Sequence, residues 1–90
     1  MMAKNWKIIS ITFEINAQKH RNGQFTVPRK VCDLLNLKPH NHIHLDVMDT
    51  NERELISDVF QLRSGTEIYG PELRKIIKSG QRIIVTASKP

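Results

Sequence analysis

The sequence predicts a mainly β, single-domain fold: a small pseudobarrel of about six to seven strands with two short helices. Ninety residues suit one domain, spanning residues 1–90, with an adequate core. Short apolar–polar alternations recur along the chain, and two prolines each precede a one-sided apolar stripe. The segments 22–48 and 64–87 also share one order of elements.

The first predicted element is a half-buried strand over residues 7–15, where every second side chain is apolar. These apolar residues are Ile9, Ile11, Phe13 and Ile15. A polar loop follows and ends at Asn22-Gly23, a pair that tolerates the positive φ of a tight turn. Residues 24–27 then form a short strand.

The first helix is predicted over residues 29–36. Pro28 suits its start, because the missing N–H of proline costs nothing there, and Pro39 stops it. The apolar stripe consists of Val31, Leu34 and Leu35, at i, i+3 and i+4. Cys32 flanks this stripe, and we interpret it as a buried small hydrophobe rather than a reactive thiol.

The remaining strands are predicted over residues 42–48, 54–62, 67–69 and 82–87. Their expected inward residues include Ile43, Leu45 and Val47, then Ile56, Phe60 and Leu62. A second helix begins at Gly70-Pro71, with Glu72 in its first turn and Gly80 as its C′ residue. Its apolar stripe consists of Leu73, Ile76 and Ile77.

The two halves, 22–48 and 64–87, each contain a loop, short strand, proline, helix, turn and strand. We interpret this likeness as an internal β-α-β duplication, which would build a pseudo-twofold barrel with the helices at its openings. Two such units could also arise by chance, and that alternative stays open.

Charge is distributed unevenly along this chain, which has a net charge of +5 and a predicted pI of 9.7. Residues 17–32 hold four cations and no acid, and residues 71–90 hold five cations against Glu72. Residues 46–58 hold five acids against Arg53. Two basic stretches around an acidic one suit a polyanionic partner. A solvated surface with an accidental bias is the alternative.

Enzyme chemistry finds little support in the sequence. Glycine-rich phosphate loops of the GxGxxG or GxxxxGK type are absent, and the serines and histidines form no recognisable triad. His40, His42 and His44 alternate, as the polar face of a strand would, although two imidazoles at i, i+2 can bind zinc. We therefore predict no enzymatic activity and no cofactor, with zinc binding as the weaker alternative.

Targeting signals are also lacking in the sequence, which has no apolar run of about eighteen residues and no signal peptide. One cysteine cannot form an internal disulfide and fits a reducing compartment. We expect no membrane association and a cytoplasmic protein, associated with the nucleoid if it is prokaryotic.

The first turn of the first helix carries Arg29 and Lys30 and no acid. Cations there oppose the helix dipole, at a cost of about 0.3–1 kcal/mol each, and local rules tend to fail where function demands it. Free N–H groups with two cations make a phosphate site, and loops 19–24 and 63–66 could read base edges. The candidate DNA contacts are Lys19, Arg21, Asn22, Gln24, Thr26, Arg29, Lys30, Arg63, Ser64 and Thr66.

The segment NGQFTVPRKVCDLLNLKPHNHIHL resembles the AbrB/MazE type of swapped-hairpin DNA-binding domain. That family has a turn glycine, a strand, a proline, a short helix, and a Leu-Lys-Pro-Gly-Asp-like turn before the next strand. The match covers about residues 19–48. His40-Asn41 replaces the usual Gly-Asp pair, and Gln24 stands where a basic residue is common.

A single chain with two such halves also resembles the related DNA-binding pseudobarrel domains of plant transcription factors and of restriction-enzyme effector domains. The second half, LRSGTEIYGPELRKIIKSGQRIIV, matches them weakly. Both resemblances imply duplex-DNA binding by loops and strands flanking the barrel, through the candidate contacts named above.

We therefore predict a double-stranded DNA-binding domain, acting as a transcriptional regulator or a DNA-recognition module. The alternative is an antitoxin-type module that binds a toxin partner, against which the patterned, basic C-terminal half argues. A homodimer with swapped halves and fusion to a larger effector polypeptide both stay open.

Overall fold

A computed structural model describes residues 10–16, 24–78 and 80–90. The elements are β1 (Ser10–Asn16), β2 (Gln24–Thr26), α1 (Arg29–Leu34), β3 (His42–Asp49), β4 (Glu54–Gln61), β5 (Glu67–Tyr69), α2 (Pro71–Ile76) and β6 (Arg82–Ser88). The domain is mainly β, as predicted, although the part of the first predicted strand before Ser10 lies outside the described residues. No helix in the described ranges is long and apolar enough to cross a membrane.

An antiparallel four-stranded sheet, in the order β1-β6-β3-β4, forms the framework of the domain. Val85 of β6 lies opposite Phe13 of β1 on one side and Val47 of β3 on the other. The strands β2 and β5 form a separate antiparallel pair. The last strand of the chain is thus a central strand of the larger sheet.

The core lies on one face of the four-stranded sheet. Its central residues are Ile43, Leu45 and Val47 of β3 and Ile83, Val85 and Ala87 of β6, each at most 1% exposed. The alternation predicted for β3 is therefore confirmed, because successive side chains of a strand point to opposite faces. Full burial of an aliphatic side chain of this size contributes about 1.5–3 kcal/mol.

The first helix ends earlier than predicted. It contains six residues, and Asn36 beyond it adopts a left-handed φ of 57°. The Leu37 N–H donates to the Cys32 carbonyl over 2.8 Å, and the Asn36 N–H donates to the Asp33 carbonyl over 3.1 Å. These are the two hydrogen bonds of a Schellman motif. Asn36, not Pro39, therefore terminates α1.

The apolar stripes predicted for the two helices are partly wrong. In α1, Leu34 is 46% exposed whereas Cys32 is 3% exposed, so the buried face uses Cys32 as a small hydrophobe. In α2, Leu73 is 4% exposed but Ile76 is 37% exposed. A helix of less than two turns packs on the core through only a few side chains, and the second (i+3) position of its stripe can face solvent.

Gly80 is not the C′ residue of α2, because the chain is already extended at Ile77, with φ −105° and ψ 128°. Gly80 instead belongs to a turn over residues 78–81, where it has a φ of 79°. The Gln81 N–H donates to the Lys78 carbonyl over 3.0 Å, and Gln81 Oε1 accepts from the Lys78 N–H over 2.9 Å. This turn leads into β6.

Residues 38–41 form a turn with the same two hydrogen bonds. The Asn41 N–H donates to the Lys38 carbonyl over 3.0 Å, and Asn41 Oδ1 accepts from the Lys38 N–H over 2.9 Å. His40 occupies the left-handed position, with a φ of 71°. His40 therefore lies in a turn before β3. The alternation had predicted that His40 shares a strand face with His42 and His44, and this prediction is wrong for His40.

Candidate nucleic-acid interface

The loop 63–66, which joins β4 to β5, is the centre of the candidate interface. The Arg63 N–H donates to the Glu67 carbonyl over 2.9 Å, and Leu62 forms a bridge to Ile68 immediately inside the loop. Leu62 and Ile68 are at most 1% exposed. The loop is therefore anchored directly on the hydrophobic core.

Backbone hydrogen bonds join two distant chain segments to this loop. The Val27 N–H donates to the Thr66 carbonyl over 2.9 Å, and the His40 N–H donates to the Arg63 carbonyl over 3.2 Å. The loop therefore lies between the end of β2 on one side and the turn 38–41 on the other.

Two exposed cations, Arg29 and Lys30, open α1 immediately after this junction. The first turn of α1 contains no acidic residue, and Pro28 at its N-cap makes no side-chain hydrogen bond. In α2 the first turn contains Glu72. Because α1 has only six residues, the two side-chain charges contribute more attraction for phosphate than the dipole of so short a helix.

Six of the ten predicted DNA contacts have described side chains, and they come from three neighbouring stretches: the end of β2, the start of α1 and the loop. Thr26, Arg29, Lys30, Arg63 and Ser64 are exposed, and Thr66 is half-buried. Lys19, Arg21 and Asn22 lie outside the described residues, and of Gln24 only the backbone, in β2, is described.

Acidic residues concentrate at the opposite end of the larger sheet. The hairpin that joins β3 to β4 carries Asp49, Glu52 and Glu54. The eight residues of β3 separate this hairpin from the turn 38–41 by about 25 Å, at about 3.3 Å per residue. Glu67, opposite Thr26 in the β2–β5 pair, adds one negative charge beside the loop. The three acids of this hairpin thus lie at the far end of β3 from Arg29 and Lys30, whereas the exposed Asp33 lies on α1 within one helical turn of these two cations.

A serine, a histidine and an aspartate meet on the outer face of β3 and β4, which the sequence did not reveal. The Ser57 hydroxyl donates to the Asp46 carboxylate and lies 3.2 Å from His44 Nε2. His44 Nδ1 is 3.8 Å from Asp46 Oδ2, which is beyond hydrogen-bond distance. A serine nucleophile needs a base that is itself oriented by a third group. Because Ser57 donates to the carboxylate, this arrangement links two strands rather than activating the hydroxyl.

The strand histidines also do not assemble a metal site in the described part of the chain, where no group of three or more His, Cys, Asp or Glu side chains is placed to hold a metal ion. His42 is exposed at the start of β3 and His44 is half-buried. His44 contacts Ser57 and Asp46 instead.

Cys32 lies on the buried face of α1, behind the exposed cations. Desolvation by burial raises the pKa of its thiol, the Asp33 carboxylate raises it further, and Arg29 acts in the opposite direction. The thiolate is the nucleophilic form of cysteine. Cys32 is thus protonated at neutral pH and serves the core.

Comparisons with known proteins bear on the fold alone. No family model matches the chain, and no curated protein matches it. Among solved structures, the chain is similar to PHS018 from Pyrococcus horikoshii, determined in solution, with a TM-score of 0.69 and 16% sequence identity. The match covers 92% of this chain and 97% of that one. The chain therefore has the small β fold of that protein, and a shared fold does not define a function.

Proposed function

We propose that this domain binds double-stranded DNA through the end of β2, the start of α1 and the loop 63–66. The observation that carries the proposal is the Val27–Thr66 backbone hydrogen bond, which brings the exposed Arg29 and Lys30 beside the loop. Cations supply phosphate affinity by releasing condensed counterions. Exposed hydroxyl and amide side chains fix the register on the duplex and read base edges. Such a surface suits a transcriptional regulator or a DNA-recognition module.

The finer fold that we propose is a pseudobarrel of the swapped-hairpin kind, built from two related halves. The pairing of β3 with β6 supports it, because Leu45 lies opposite Ala87 and Val47 lies opposite Val85. A twofold rotation that places Leu45 on Val85 and Val47 on Ala87 converts each of these pairs into the other, so the register is symmetric. In addition, β1 precedes α1 but pairs with β6, and β4 precedes α2 but pairs with β3. The strand that precedes each half thus pairs with the last strand of the other half.

The resemblance to the AbrB/MazE type also supports DNA binding. His40 stands where that family usually has glycine, and its φ of 71° is a conformation that favours glycine. Lys19, Arg21, Asn22 and Gln24 belong to the proposed surface on sequence grounds, because they precede or open β2.

The test is fluorescence anisotropy of a labelled duplex pool at about 50 and about 200 mM salt. If the domain makes four phosphate contacts, this rise in salt concentration should lower the affinity about a hundredfold. The double variant Arg29→Ala/Lys30→Ala should reduce the slope of log affinity against log salt by about two, one for each lost phosphate contact. Arg53→Ala, an exposed cation of the acidic hairpin, is the matched control and should leave the slope unchanged. Absence of binding at the lower salt concentration would reject the proposal.

The rival is an antitoxin-type module that binds a toxin. Antitoxins of this resemblance wrap the toxin with a flexible tail, whereas the surface proposed here lies on ordered elements that the Val27–Thr66 hydrogen bond holds together. Co-purification of a small protein from the native host, together with no DNA binding, would favour the rival.

A further inference from the structure

His40 occupies a backbone conformation that glycine adopts more readily than a residue with a β-carbon. Its φ of 71° is left-handed, where a β-carbon crowds the following carbonyl oxygen. The matching turn 78–81 uses Gly80 for the same conformation, with a φ of 79°. The two hydrogen bonds that close each turn involve its first and last residues. Glycine could therefore replace His40 without loss of a turn hydrogen bond.

The surrounding hydrogen bonds hold the His40 backbone firmly against the loop 63–66. Its N–H donates to the Arg63 carbonyl over 3.2 Å, and its carbonyl accepts from Gln61 Nε2 over 3.0 Å. The Leu62 N–H donates to the Asn41 carbonyl over 2.8 Å. The His40 side chain is exposed, so a rigid backbone presents it to solvent next to Arg63.

Lys38 lies in the same turn, is also exposed, and adds a positive charge to this edge of the loop. An imidazole N–H can donate a hydrogen bond to a phosphate oxygen, and a lysine ammonium binds phosphate as a point charge. The turn fixes the conformation of this residue but would accept glycine, so an exposed imidazole held there beside exposed cations points to a function for the side chain.

We propose that the turn 38–41 is a further strip of the DNA-binding surface, in which His40 donates a hydrogen bond to a phosphate oxygen of the duplex and Lys38 makes an ionic contact with the backbone. This role rests on the proposed function and extends its surface across the loop from α1. His40 is thereby a contact residue, held in register by Arg63 and Gln61.

The experiment measures DNA affinity and denaturation midpoint for His40→Gly and His40→Ala. Both variants should bind the duplex pool about threefold to tenfold more weakly, as expected for one lost hydrogen bond. Their stabilities should differ: His40→Gly should have a higher denaturation midpoint than the unaltered protein because glycine accepts the left-handed φ, and His40→Ala should not. If His40 acted only through stability, the two variants would therefore differ in DNA affinity as well. Lys38→Ala should lower the salt slope by about one, and Arg53→Ala, at the far end of β3, is the control that should not.

Two results would overturn this inference while leaving the proposed function intact. In the first, the unaltered protein binds DNA and both folded His40 variants bind equally well. In the second, affinity follows the denaturation midpoint, so that His40→Gly binds more tightly and His40→Ala more weakly. If the unaltered protein binds no DNA, the proposed function itself fails, and the two failures are thereby distinguished.

Discussion

Residues 29–49 and residues 71–88 each contain a short helix, a turn and a central strand, and they differ in how the chain leaves the helix. After α1, Asn36 and Leu37 close a Schellman motif before the turn. After α2, the chain is extended at Ile77 and enters the turn directly. The turns 38–41 and 78–81 nonetheless have the same two hydrogen bonds, and both strands bury three alternate side chains.

The difference shows which parts of such a unit the fold constrains. The strand and the turn are fixed because β3 and β6 must present their apolar faces in register. The helix exit is not fixed: three residues separate α1 from its turn and one separates α2 from its turn, and the longer exit buries Leu35 and Leu37 in the core. The left-handed residue of the turn is fixed in conformation but not in identity, as His40 and Gly80 demonstrate.

The largest expected loss of stability comes from a substitution of Gly80 in the turn 78–81. Gly80→Val should lower the free energy of unfolding by about 2 kcal/mol, because a β-branched residue is strained at positive φ. Open space surrounds the added Cβ, so the cost is conformational. His40→Val should cost less, about 0.5–1 kcal/mol, because His40 already bears much of this strain. Urea denaturation of both variants measures the difference, and equal costs would contradict the equivalence of the turns.

A smaller effect concerns the side chains that close the turns. Asn41→Ala removes the acceptor of the Lys38 N–H and should cost about 1 kcal/mol. Gln81→Ala removes the acceptor of the Lys78 N–H and should cost about 0.5 kcal/mol, because the longer glutamine side chain regains more rotamer freedom when released. The denaturation midpoints of the two variants test this order. A larger loss for Gln81→Ala would show that the second turn depends more on its side chain.

The smallest expected effect is a pH dependence of stability that arises from Cys32 in α1, a residue without a cysteine counterpart in α2. Burial raises the pKa of the Cys32 thiol in α1 above its ordinary value of 9.0, and Arg74 stands at the matching place in α2. Because the folded pKa is the higher one, the stability that Cys32 contributes is complete below pH 9.0 and is lost as pH rises through the folded value. The unaltered protein should therefore lose more stability than Cys32→Ala between about pH 8 and about pH 10. Urea denaturation at both pH values measures this difference, and identical losses would mean that Cys32 is not desolvated.

The candidate interface was only partly predictable from the sequence. Arg29 and Lys30 could be selected because cations at a helix start oppose the helix dipole, and the loop 63–66 because it matches the loop 19–24 in the other half of the chain. The proximity of the start of α1 to the loop 63–66 could not be predicted, because it depends on the pairing of β2 with β5, which are far apart in sequence. His40 could not be selected as a candidate contact from the sequence, because its distance from Arg63 along the chain hides the hydrogen bond between them. Ser57 and Asp46 likewise meet only through the β3–β4 register.

The sequence by itself determined the mainly β character of this protein and the approximate positions of its described strands and helices. Alternating apolar residues specified β3 and its buried face, because the two-residue period of a strand is a property of the backbone. Pro28 and Pro71 marked the places where helices begin, because a fixed φ and a missing N–H are tolerated there.

Only the tertiary structure decided which strands are neighbours, which side chains of the short helices are buried, and which loops lie together. Cys32 is buried as predicted, but Leu34 is exposed although the stripe predicted its burial, because a six-residue helix takes its orientation from the surface on which it packs and not from its own periodicity. The order β1-β6-β3-β4 similarly arises from long-range hydrogen bonds and core packing. Their free energy depends on contacts between residues that no local pattern connects.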